Sequence, residues 1–68
     1  MSIKISKLQY TNFRAICSES SEFLVGTDEE IKERLEEALE IQGYWSGMMY
    51  KYYLDGDNWR KEPRVFGS

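Results

Sequence analysis

Asp55-Gly56-Asp57-Asn58 places two carboxylates and a side-chain amide within four residues, the oxygen density that a hard cation such as calcium asks for. The run lacks the longer alternation, the glycine position and the distal glutamate of a full calcium loop. The same residues are those of a tight turn, with Gly56 and Asn58 both tolerant of positive φ, and a hairpin turn is the expectation. Glutamates recur through residues 28–40 at spacings that could ligate metal, but a single helix offers no opposing donors to complete a cage. With no histidine and one cysteine, Cys17, the chain lacks the imidazole base, the Cys-His pair and most zinc or copper sites. A Ser or Thr nucleophile would need activation by Lys or a carboxylate alone, and no spacing for that is present. The chain reads as non-enzymatic, with no cofactor and no metal.

Groups suited to recognition are more abundant. Residues 44–59 hold six of the ten aromatics and two of the three methionines. Tyr and Trp rings combine large apolar area with a polar tip, so this density makes either the sheet half of a small core or an adhesive surface. From Met48 to Leu54 the alternation puts Met48, Tyr50, Tyr52 and Leu54 on one side, expected to face a helix. Met49, Lys51 and Tyr53 fall on the other. Trp59 starts a returning strand that Pro63 interrupts or confines to an edge, and Arg64-Val65-Phe66 can resume it. Trp45 either caps the core at the end of the helix or protrudes as an anchor, and the core position is the expectation.

The elements that carry these residues follow from local patterning. Residues 2–9 show Ile3 and Ile5 alternating with Lys4 and Ser6, which predicts a half-buried strand. Phe13, Ala15 and Cys17 alternate through residues 13–18 and predict a second antiparallel strand; a short helix capped by Thr11 is the rival. Residues 18–22 read as a turn, and Phe23-Leu24-Val25 as a short strand ended by Gly26. Thr27-Asp28-Glu29-Glu30 has the form of a capping box. It opens a helix over residues 28–42 whose apolar stripe is Ile31, Leu35, Ala38, Leu39 and Gln42, with Ile41 on its border and Gly43 as the stop. The predicted fold is α+β: one amphipathic helix on a small antiparallel sheet, in the order β-β-(β)-α-β-β, two layers, residues 1–68 as one domain.

Charge is segregated along the chain. Residues 28–40 hold seven carboxylates against Lys32 and Arg34, a balance of minus five, so the net charge of −3 leaves the remainder at plus two. Glu29 with Glu33, Glu33 with Glu37 and Glu36 with Glu40 repel at i,i+4, which helix stability alone does not select. The stripe Glu33, Glu36, Glu37 and Glu40 is therefore a candidate surface for a basic partner, alongside apolar anchors Met49, Tyr53 and Trp59 with Lys51 beside them. A sequence pI near 4.9 is opposite in sign to a usual nucleic-acid module, although Tyr, Trp, Lys and Arg together could imitate a single-strand stacking platform. No apolar run approaches the roughly 20 residues of a membrane span, and the start lacks a signal-peptide core. A lone thiol suits a reducing compartment, so a cytoplasmic location is expected.

An acidic chain of 68 residues with one helix over an antiparallel sheet is similar, at the level of class, to small phage-encoded inhibitors of host systems, anti-CRISPR proteins among them. The resemblance rests on size, architecture and charge and carries no residue correspondence. It implies a protein that acts by occupying a partner's surface, in the manner of an inhibitor or an acidic nucleic-acid mimic. Single-strand nucleic-acid binding and self-association through edge strands are the alternatives; a second copy of the chain is then the partner.

Overall fold

The computed structural model describes residues 3–18 and 24–63. Two helices, α1 (Lys7–Ile16) and α2 (Asp28–Gln42), precede three strands, β1 (Trp45–Ser46), β2 (Tyr50–Asp55) and β3 (Asn58–Pro63). The strands form one antiparallel sheet in the order β1-β2-β3, and the helices cover one of its faces, α1 against β3 and α2 against β1. The fold is α+β, as expected.

The order α-α-β-β-β corrects the strand pair expected over residues 2–9 and 13–18. Residues 7–16 are helical because Ser6 caps them: its Oγ accepts from the Gln9 amide at 3.1 Å, and Gln9 Oε1 accepts from the Ser6 amide at 2.7 Å. The cap is Ser6, five residues before the Thr11 cap of the alternative helix. Tyr10 and Phe13 then share the buried face, with Ile16 and Cys17 packed behind them, while Ala15 is exposed. Spacings of three and four won over a period of two because Phe13 has an aromatic cluster to enter. Leu24 is buried but belongs to no strand. Phe23, most of the turn expected at 18–22, and Arg64-Val65-Phe66 lie outside the described residues.

α2 has the predicted limits. Thr27 Oγ1 accepts from the Glu30 amide at 3.2 Å, Glu30 Oε1 accepts from the Thr27 amide at 2.9 Å, and Gly43 ends the helix at φ +87°. Ile31, Leu35 and Leu39 are its buried stripe; Gln42 is exposed and donates to the Tyr44 carbonyl. The Thr27 amide hydrogen bond holds the Glu30 carboxyl below its ordinary value of 4.5. A depressed folded pKa means that the cap contributes above the unfolded value and is lost as pH falls through the folded one. Glu30→Gln is therefore expected to flatten the decline of Tm below pH 4.5, read by thermal melts across an acid series.

The core is centred on Phe13. Its ring meets Trp45, Tyr52 and Trp59 edge-on at centroid distances of 5.4, 5.3 and 5.0 Å, one ring from each strand. Ile5, Leu24, Ile31, Leu35 and Leu39 close the cluster. Hydrogen bonds fix the helices around it. Trp59 Nε1 donates to the Gln9 carbonyl at 2.7 Å, Gln9 Nε2 to that of Gly56 at 2.9 Å, and Tyr10 hydroxyl to Asp28 Oδ1 at 2.9 Å. Burial, then the bond to Asp28, raises the Tyr10 pKa.

Candidate functional site

Strand alternation decides which side chains face away from the helices. Tyr52 is fully buried and Tyr50 and Leu54 are half-buried against the core, so Lys51 and Tyr53 point outward. Register sets Tyr53 opposite Arg60 and Lys51 between Ser46 and Glu62, while the Tyr44 ring, just before β1, lies tilted against that of Tyr53 with centroids 5.7 Å apart. Lys51 Nζ lies 5.0 Å from the Tyr44 ring centroid. The Tyr53 hydroxyl donates to Glu62 Oε1 at 2.9 Å, which raises its pKa, and Arg60 sits 4.0 Å from Asp55. The outer sheet face is thus a charge-balanced mosaic around two tyrosines, with no described helix or strand over it.

One end of this face is apolar. Gly47 donates its amide to the Tyr50 carbonyl at 2.8 Å and leaves Met48-Met49 at the tip of the β1–β2 hairpin, 53% and 60% exposed. Met48 does not face the helices as expected, because β2 begins only at Tyr50 and the alternation does not extend back through the turn. At the other hairpin the turn Gly56-Asp57 takes φ +64° at Gly56 and no positive φ at Asp57, the pattern of a type II′ turn. Asp55-Gly56-Asp57-Asn58 is that hairpin, and among the described residues no three His, Cys, Asp or Glu gather as metal donors.

Trp59 is not a surface anchor. Its register opposite Leu54 turns it to the helix side, where it is 5% exposed. Glu36 is also engaged internally: its Oε2 accepts the Ile5 amide at 2.9 Å and ties the residues before α1 to α2. Glu33, Glu37 and Glu40 remain exposed on the side of α2 away from its buried stripe. Lys4 and Ile3 line a groove with these glutamates, so the stripe is bordered by a cation of the same chain. The two-layer arrangement puts the glutamates and the Met49, Lys51 and Tyr53 group on opposite sides, and one flat partner surface cannot meet both.

No protein-family model, curated protein or solved structure matches this chain. No helix among the described residues is long and apolar enough to cross a membrane. A feature that sequence reasoning missed is a cleft of about 510 Å³ between α1 and the first turn of α2, lined by Lys7, Tyr10, Arg14, Asp28, Glu29 and Lys32. Its cations and carboxylates are mixed, which favours neither an anion nor a cation. Lys7, Tyr10 and Arg14 come together along the cleft because residues 7–16 are helical, which sets them a turn apart.

Proposed function

We propose that this chain is a small non-enzymatic protein-binding module that acts by occupying a partner's surface, as small inhibitors of host systems do. The observation that carries this reading is the outer sheet face bearing Tyr44 and Tyr53, over which no described helix or strand lies, continuous through β2 with the exposed Met48-Met49 tip. Flexible, polarisable methionines adapt to an apolar partner pocket, and the paired tyrosines add area at small entropic cost. Glu33, Glu37 and Glu40, on the opposite side, add to the negative charge of the whole molecule and take no part in this contact. A single-strand nucleic-acid platform is disfavoured by Glu62, whose carboxylate is held on the outer face by Tyr53 and would repel phosphate.

A photo-crosslinking amino acid in place of Met49, in cells that carry the partner, is expected to yield an adduct with a protein other than a second copy of the chain. The same group in place of Lys32, in the helix cleft, is expected to give none. Adducts with nucleic acid at position 49, or equal protein adducts at both positions, would sink the reading.

A further inference from the structure

β3 ends the sheet, so one side of its backbone has no partner strand among the described residues. The two-residue turn makes Asp55 and Asn58 a hydrogen-bonded pair, and the ladder then alternates. The amides and carbonyls of Trp59 and Lys61, with the carbonyl of Pro63, are thereby turned toward the open edge. Arg60 and Glu62 stand on the outer face beside it, both exposed. Lysine and proline on an edge strand commonly discourage pairing. Here the Lys61 ammonium leans away from the edge, 4.5 Å from the Tyr50 ring centroid and 3.4 Å from the Ile16 carbonyl oxygen.

We propose that two copies of this chain join antiparallel through β3 about a two-fold axis at Lys61, making one continuous sheet with all the helices on one face. In that register Arg60 of each copy stands opposite Glu62 of the other, so symmetry supplies two opposite-charge pairs. An axis at Arg60 would oppose arginine to arginine on the outer face, and one at Glu62 glutamate to glutamate; the outer-face charges favour the register centred on Lys61. The Lys61 amide and carbonyl then bond to those of the second copy, and the Trp59 amide donates to the Pro63 carbonyl across the axis. Pro63 is asked for no donor. The inward lean of Lys61 keeps the two ammonium groups apart where the backbones meet.

Sedimentation equilibrium of the full chain from micromolar to millimolar concentration tests this, independently of any other binding partner. The mass is expected to rise to that of two chains. Arg60→Glu and Glu62→Arg, each shown folded by circular dichroism, should weaken the dimer roughly tenfold, since attraction becomes repulsion at two symmetric positions. The double variant R60E/E62R restores opposite charges in the same register and should regain the wild-type dimer. A single-chain mass throughout the range, or a double variant that associates no better than the single ones, overturns the proposal.

Discussion

Phe13→Ala is expected to leave the chain largely unfolded at room temperature. Phe13 is 0% exposed, and its ring touches an aromatic from each of the three strands. Truncating a buried Phe costs about 3–5 kcal/mol through lost transfer free energy and the cavity left behind. A single core in a domain of this size supplies net stability of only about 3–5 kcal/mol. The two magnitudes are comparable, so the folded population should collapse. Relaxation of the cavity is limited because Trp45, Tyr52 and Trp59 are each anchored in a different strand. Urea denaturation followed by tryptophan fluorescence reports the change, as both tryptophans lie against the Phe13 ring. Phe13→Leu keeps most of the volume and should retain a cooperative transition at lower urea. A Phe13→Ala protein that melts cooperatively within a few degrees of wild type would show that the cluster is not the centre of the core.

The contrast between α2 and α1 shows what kind of signal survives in sequence. α2 is long enough for its stripe of Ile31, Leu35 and Leu39 to repeat, and both ends are marked, by Thr27 with Glu30 and by Gly43. α1 is short, and its pattern fits two periods: Phe13, Ala15 and Cys17 alternate as in a strand, while Tyr10, Phe13 and Cys17 share a helix face. Ser6-Lys7-Leu8-Gln9 carries the same cap chemistry as Thr27 to Glu30, with Gln in place of Glu, and was the local clue to α1. Trp59 was readable in a similar way. A two-residue turn at Gly56-Asp57 sets Trp59 opposite Leu54, already assigned to the helix side, so burial follows from the turn length. The bond from the Ile5 amide to Glu36 has no such signal, since it joins residues 31 apart and exists only once the helices are packed.

Two neighbouring tyrosines should answer differently to the same substitution, and the difference tests the two-sided sheet on which the binding reading rests. Tyr52→Ala removes a fully buried ring that contacts Phe13, Trp45 and Tyr50. A loss of about 3–5 kcal/mol is expected, as for other large buried aromatics. Tyr53→Ala removes a half-buried ring on the outer face, with its tilted contact to Tyr44 and its hydrogen bond to Glu62. Those contacts are solvent-exposed, and their loss should shift Tm by only a few degrees. Partner capture through position 49 should nevertheless weaken, because Tyr53 shares the outer face with Tyr44 next to the methionine tip. Thermal melts and crosslinking yield on the same two variants separate the effects: Tyr52→Ala fails in both, Tyr53→Ala only in the second. A Tyr53→Ala protein as unstable as Tyr52→Ala would mean that the outer ring is held as core, and the sheet would then have no free face with which to bind.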